Sequence, residues 1–565
     1  MTKEAASEKD AQVWQTILRS LLGTLKDVSF TEPITALESK LFALDVFLRS
    51  PMLQRLLAGL LLEEAAAAAG HSGHSLEASS LLTPLLSVST MPDAAKFMQT
   101  LQVTSPAKAF FTSLRRYPTM RGEVEVSMRG LRAALGQAYK AAHAICERLV
   151  KLKGTEPAGL GKEAVLAWIA AAAGVNTVRT SGGESKGVID RHPLRKGCGD
   201  GFALGLLAMC LSFCKPFLGG EQKHLDRLDV GYYAQHAYRL PEVQAARTLA
   251  GRDNAEANAS FSGRPYIAPA PPGPESAHFV AECFFLTQRV LHTGLMPAVY
   301  RFHQISDIVY RQRKQQQQQQ QEDDNQEEDE AQSVDTWLLQ DSTMAQLLDP
   351  RLAAPAVQFL VLEAMWLLKL AKQEEGAAQR AFAQIPDFVI RDMTAWLSFV
   401  IRGGQPDLVA ACRLDVLIAF LVEMLQRGDL VQSPIIHAKI VELLLTMLLP
   451  GQPGRRRAKG LLGPSHQGVG EQALVAAVLG TGAAQEQLVP ALMKAYAAAD
   501  YVVGLDVDKD QFDKFGMRNC IDLILLELWK DPGELVCICL LCTQPLCLVH
   551  CYGAEVATLN VRLCA

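Results

Sequence analysis

The chain has little excess of charge of either sign: 55 Lys and Arg face 60 Asp and Glu, a formal net charge of -5 over 565 residues. A globally basic surface for nucleic acid is thereby excluded, and the run Arg455, Arg456 and Arg457 in its Pro/Gly setting reads as a solvated turn. Long uninterrupted apolar runs are equally scarce. Ala203 to Cys214 is closed by Asp200 and Lys215, falls well short of the roughly 20 residues a membrane span needs, and reads as a buried helix. Leu535 to Ala554 is long enough, but Thr543, Gln544, Pro545 and His550 interrupt it, so no membrane association is expected. Met1 to Asp10 alternates acids and bases without the apolar run of a secretory signal, which predicts an intracellular location. Segments that alternate polar and apolar residues and end in hairpin turns are rare, which argues against β-rich classes.

The common catalytic signatures are missing too. Gly154 to Lys162 superficially resembles a phosphate-binding loop, yet Glu156 stands where its first glycine belongs, and Glu163 follows Lys162 where a magnesium-binding Ser or Thr belongs. There is no G-x-S-x-G elbow, no H-E-x-x-H helix and no dinucleotide fingerprint. His71 and His74 sit in a Gly/Ser loop with too few companions to hold a metal. Seven of the 13 cysteines are scattered through apolar stretches and read as free, buried thiols. The other six, Cys537, Cys539, Cys542, Cys547, Cys551 and Cys564, crowd the last residues. Cys539 and Cys542 have zinc-knuckle spacing, but their Leu, Ile and Val neighbours lack the polar turns that present thiolates to a metal. No catalytic, cofactor-binding or metal-binding residue is assigned, no cofactor is expected, and the partner-binding surface is left open.

What the sequence does have is helical periodicity. Trp14, Ile17, Leu18, Leu21, Leu22 and Leu25 share one helix face. Ser50-Pro51 and Ser433-Pro434 read as helix starts, with Ser at the cap and Pro in the first turn. The second of these helices carries Ile436, Ile440, Leu443, Leu444, Met447 and Leu448 on one side and stops at Pro450-Gly451. Leu131 to Lys151, Lys162 to Ala173, Phe279 to Tyr310, Ala356 to Leu370, Leu408 to Arg427 and Ile521 to Lys530 read as further helices. The fold class is all-α: long helices and short polar turns, stacked as antiparallel pairs in a solenoid or large bundle without a regular repeat.

Composition divides the chain into an N-terminal helical region (1–105), a first core part (106–311), an insertion (312–333), a second core part (334–532) and a tail (533–565). The insertion holds Gln315 to Gln321 and the acidic run Glu322 to Glu330, which bury too little apolar area to fold, so it is expected to be disordered. Asn254 to Pro274 and Gly451 to Gly470 read as long surface loops.

Five stretches between residues 160 and 530 carry a pattern. They are Gly161 to Trp168 (GKEAVLAW); Gly199 to Leu207 running to Lys215-Pro216-Phe217-Leu218, with Leu228, Asp229 and Tyr232 after it; Phe279 to Thr287 (FVAECFFLT) leading into Leu291, His292 and Gly294; Ile436 to Glu442 (IHAKIVE); and Leu488 to Met493 with Phe512, Asp513, Lys514, Phe515, Arg518, Leu528 and Trp529. In this order they resemble the core of the ubiquitin conjugation factor E4 family. Its pattern includes Leu-x-Trp, Asp-Gly-Phe…Pro-Phe-Leu, Phe-Phe-Leu-Thr…Leu-His-x-Gly and Asp-Lys-Phe-x-x-Arg.

The resemblance implies an elongated, armadillo-like or HEAT-like body followed by a U-box that binds the ubiquitin-charged conjugating enzyme. Transfer in that family proceeds by positioning, without a covalent intermediate or a metal. It further implies ubiquitylated substrates, a hexameric AAA unfoldase and proteasomal shuttle proteins as partners, and a place in cytoplasm and nucleus. After Trp529 to Pro532 the resemblance stops, so the chain is expected to lack the U-box, to be inactive alone, and to carry a tail from a truncated gene model, retained intron or splice form. The competing expectation is a non-catalytic α-solenoid that binds proteins and has no ubiquitin chemistry.

Overall fold

The computed structural model describes residues 51–68, 73–92, 121–153, 159–180, 197–236, 248–250, 277–319, 326–450, 467–499 and 513–529 and, in the N-terminal part, 12–18, 20, 39, 42–46, 48–50, 105 and 107–111. Among these residues there are helices and turns but no strand, and a single isolated bridge joins Thr248 to Pro386. The fold is all-α and solenoid-like.

The principal helices are α1 Pro51–Ala68, α2 Gly73–Ser79, α3 Arg121–Val150, α4 Leu160–Gly174, α5 Asp200–Cys214, α6 Phe279–Val290, α7 Met296–Gln319 and α8 Gln326–Leu347. They continue with α9 Pro350–Ala371, α10 Glu375–Phe382, α11 Phe388–Arg402, α12 Leu414–Gln426, α13 Pro434–Leu448, α14 Gln467–Leu479, α15 Gly482–Ala498 and α16 Lys514–Leu528. Their starts are set locally. Pro occupies the first turn of α9 and α13, where its missing N–H leaves no bond unmade. Side chains satisfy free N–H groups at the starts of α9, α15 and α16: Asp349 accepts from Arg351 N at 2.9 Å, Thr481 from Ala484 N at 3.3 Å and Asp513 from Gly516 N at 2.8 Å.

The second half is a two-layer stack. α9 packs on α12 and α12 on α15 in one layer, while α11 packs on α13 and α13 on α16 in the other. Each helix therefore buries its apolar stripe against the next helix of its own layer, the arrangement that defines a solenoid. The first half is organised around α5, which touches α3, α6 and α9 and is buried almost all round. α1 lies along α4. One contiguous hydrophobic core runs from Leu18 to Leu528. Asp200–Phe217 and Pro350–Ala371 are long and apolar enough to cross a membrane by length and composition, but 72% and 78% of these windows are buried inside the fold, as core helices are.

Several sequence expectations need correction. Much of the stretch 312–333, expected to be disordered, is helical, because α7 continues to Gln319 and α8 begins at Gln326; Gln and Glu are good helix formers and simply prolong two helices that pack on each other. Residues 320–325 lie outside the described residues. The helix expected from Leu408 to Arg427 is two, Pro406–Ala410 and α12, separated at Ala411 to Arg413. Ser433 stands at the cap of α13 but makes no side-chain cap bond. The last residues of the stretch 451–470, expected to be a loop, are helical, since α14 starts at Gln467. Residues 451–466, the loop at 254–274, His71, the His74 side chain and the tail at 533–565 with its six cysteines lie outside the described residues.

Candidate functional site: the junction of the sequence motifs

Motif residues distant in sequence meet around α5, α6 and a π-helical turn, Leu291–Leu295, that joins α6 to α7. Phe284 and Phe285 are 0% and 1% exposed and stand edge-to-face with centroids 5.1 Å apart. Tyr232 stacks on Phe285 at 4.4 Å, and Trp366 of α9 packs edge-on against both phenylalanines. The Trp366 indole N–H donates to the Leu228 carbonyl at 3.0 Å. This aromatic cluster is where the second and third motifs touch, and it buries large rings whose edges and faces complement one another.

Polar groups inside the cluster are paired in chains. Tyr232 Oη donates to Glu282 Oε2 at 2.6 Å. Tyr233 Oη donates to Gln288 Oε1, and Gln288 Nε2 donates to Glu363 Oε1 at 2.9 Å. Burial pushes the Glu363 carboxyl well above the usual carboxylate range, with nearby Asp392 adding to the shift and the Gln288 bond opposing it. Asp200 pairs with Arg179 and, through its second oxygen, with Arg301 at 3.3 Å, all three side chains being almost wholly buried. Asp200 is the first residue of α5. The cap position before it is Gly199, and the Asp200 carboxylate faces inward to the two guanidiniums.

The π turn gives the third motif its geometry. One extra residue per turn widens the helix and re-aims side chains, so that His292 stacks on Phe388 of α11 at 3.9 Å while its Nδ1 lies 2.7 Å from Asp392 Oδ2. Gly294 faces α5, where a Cβ would stand 3.2 Å from the Ala203 carbonyl oxygen. A His–carboxylate pair can orient a general base, but among the described residues no serine, threonine or cysteine is hydrogen-bonded to the His292 ring. The pair clasps the π turn to α11.

Other motif residues serve similar ends. The Trp168 indole N–H donates to Glu64 Oε2 at 3.0 Å, and Glu64 also accepts from Ser80 Oγ at 2.8 Å and Leu81 N at 3.0 Å, which ties α1 to α4 and to the chain after α2. Gln346 of α8 accepts from Thr90 N at 2.7 Å and donates to Tyr139 Oη of α3 at 2.9 Å. In the fourth motif His437 is pushed down to about 4 by burial, and Glu442 pairs with Lys439 at 3.2 Å and Arg402 at 3.5 Å. In the fifth, the Arg518 guanidinium lies 4.7 Å from the Tyr496 ring centre, while Phe515 is 71% exposed.

The chemistry open to this junction is structural. Burial raises the thiols of Cys146, Cys198 and Cys214 to about 12 and Cys412 to about 11, with Cys210 and Cys283 well above their usual value, so all six are protonated and un-nucleophilic at neutral pH. Among the described residues no three His, Cys, Asp or Glu side chains are grouped to hold a metal ion. Sequence reading missed Arg179, Arg301, Gln288, Glu363, Asp392 and Gln346. Glu363 alone left a signal, as the one charge between Leu352 and Leu368.

Comparison with known proteins agrees with this reading of the motifs. A probable ubiquitin conjugation factor E4 of Arabidopsis thaliana is 23% identical over 509 residues, covering 82% of this chain and 45% of the relative. A ubiquitin conjugation factor E4 of Schizosaccharomyces pombe is 22% identical over 354 residues (56% of this chain, 31% of the relative), and the E4 ubiquitin-protein ligase UFD2 of Saccharomyces cerevisiae 27% over 106 (19% and 10%). The chain thus spans less than half the length of the relatives it matches. The family model described as the ubiquitin elongating factor core matches residues 82–538, which contain all five motifs and the junction that the second and third build, and the chain belongs to that family.

Proposed function

We propose that this chain is the scaffold of a ubiquitin chain-elongation factor, acting in polyubiquitination and ubiquitin-dependent proteasomal degradation. The observation that carries the reading is the family match over residues 82–538, a span that holds all five motifs. Such a scaffold holds an already ubiquitylated substrate beside a U-box that recruits the charged conjugating enzyme, and it speeds transfer by raising effective concentration and orienting the reacting groups. Its armadillo-like stack offers long surfaces for an AAA unfoldase and proteasomal shuttle proteins, and its place of action is cytoplasm and nucleus. The names of the plant and yeast relatives support the ubiquitin part of this reading.

A reconstituted assay tests it. Activating enzyme, a panel of conjugating enzymes and a ubiquitin-fused substrate are incubated with this chain, with a family U-box alone, or with the chain joined at its C-terminal end to that U-box. Longer ubiquitin chains from the joined protein than from the U-box alone are expected. Equal products would remove the elongation role and leave a protein-binding scaffold without ubiquitin chemistry. Chain formation by the core alone would place catalytic groups within it.

A further inference from the structure

Separate segments of the first half bring basic side chains to one face. Lys162 lies in the first turn of α4, Lys215 follows the last residue of α5, Arg227 comes just after the short helix Gln222–Leu225, and His278 caps α6. Half-buried rings link them. His143 of α3 lies 4.9 Å from the Phe213 ring centre, Phe213 stands edge-on to Phe279 at 6.1 Å, and the Lys162 ammonium sits 5.7 Å from the centre of the Phe279 ring. Burial and then the charges of Arg227, Lys162 and His224 push the His278 pKa down, so these groups surround it. Burial also lowers His143, with Glu147 opposing and Lys215 and Lys151 adding to the shift. The carboxylates around the face are engaged: Glu147 with Lys151, Glu221 with Lys223, Asp226 with Lys369, Asp229 with the Gly231 N–H, and Glu163 as well. Among the described residues no carboxylate forms an ion pair with Lys162, Lys215 or Arg227, and Lys215 and Arg227 are exposed.

We propose that the face framed by Lys162, Lys215, Arg227 and His278 docks an acidic peptide that lays one aromatic side chain against Phe213 and Phe279. Three unpaired cations on separate stems match carboxylates set at intervals along a peptide, and such complementarity sets the register of the partner. The half-buried rings between them offer an apolar floor that single charges lack. Glu147, Glu163 and Glu221 stand among the cations and repel the unbroken charge of a nucleic-acid backbone, which a continuous basic stripe would favour. Docking here needs neither a U-box nor ubiquitin, so it stands apart from the elongation role.

Fluorescence anisotropy on the full chain tests this with a labelled peptide Asp-Glu-Asp-Phe-Glu-Asp-Glu. Saturable binding is expected, at least about tenfold weaker in the triple variant Lys162→Gln, Lys215→Gln, Arg227→Gln and weaker as salt is raised. Lys439→Gln with Lys494→Gln removes two cations of the second half and should change nothing. A peptide with serine in place of phenylalanine should bind more weakly. Hydrogen exchange on the unaltered chain guards against a triple variant that fails to fold: the peptide should protect the first turns of α4 and α6 and the segment around Arg227, and leave α12, α13 and α15 as they were. No saturable binding would overturn the proposal. So would an equal loss in the second-half variant, equal binding of the serine peptide, or protection elsewhere in the molecule. A labelled single-stranded oligonucleotide of equal charge that binds more tightly than the peptide would overturn it in favour of nucleic acid.

Discussion

Asp200 is the residue on which most charge converges, with Arg179 and Arg301 on its two oxygens in a site that solvent barely reaches. Asp200→Asn leaves both guanidiniums buried against a neutral amide, and breaking a buried pair from one side costs about 3–5 kcal/mol. A fall of that size in unfolding free energy is expected by denaturant titration, with Asp200→Ala no less harmful. Two other buried groups give pH dependences of opposite sign. Glu363 has its folded pKa raised, so the folded state holds the proton more tightly; its contribution is complete below the unfolded value and lost as pH rises through the folded one. Glu363→Gln keeps the acceptor for Gln288 and removes the ionisation, so its melting temperature relative to wild type should climb between pH 5 and 8. His437 is depressed to about 4, so its contribution is present above the unfolded value near 6.5 and lost as pH falls from there to 4, by at most about 1.4 kcal/mol per pH unit. His437→Asn should flatten that acid limb in a pH series of thermal melts; an unchanged limb would assign it to other groups. Little of this was legible beforehand. Asp200 stood out as a motif residue but not as an ion-pair centre, because its partners lie 21 and 101 residues away in the chain.

At the scale of elements, the first motif begins with glycine for a reason the structure supplies. A Cβ on Gly161 would stand 2.0 Å from the Leu149 carbonyl oxygen and 3.3 Å from the Leu152 Cβ, so α4 can start against the end of α3 only without a side chain there. Gly161→Ala forces the two helices apart and is expected to lower stability by about 1–3 kcal/mol, the usual scale of overpacking. Gly159→Ala, a clash-free neighbour with φ of +81°, reports on backbone strain alone. If the two variants lose equal stability in denaturant melts, the close approach contributes nothing of its own. Helix existence was readable from the periodicity of α1, α13 and the α6–α7 pair. Helix interruptions were not. The π turn in Leu291–Leu295 lies within one apolar pattern that runs on from α6 to α7, and the break before α12 has neither Pro nor Gly at Ala411 to Arg413 to announce it.

At the scale of the whole molecule, the order of the helices was hidden because it depends on which layer each joins, and periodicity does not encode that. The layering has an energetic consequence. Among the described residues α5 is enclosed by α3, α6 and α9, whereas α16 packs chiefly on α13 and α15 and exposes Phe515 and Leu526 at 71% and 63%. In a stack whose stability is a sum of nearest-neighbour interfaces, an element with fewer interfaces opens at lower free energy. Native-state hydrogen exchange at rising denaturant should therefore show α16 and α15 opening first, then α12 and α13, with α5, α6 and α9 opening only in global unfolding. The shared core from Leu18 to Leu528 argues for some coupling between these steps, so their exchange curves should merge near the global midpoint. Identical opening energies for α16 and α5 across the whole range would mean that the core, and not the nearest neighbour, sets the cooperative unit.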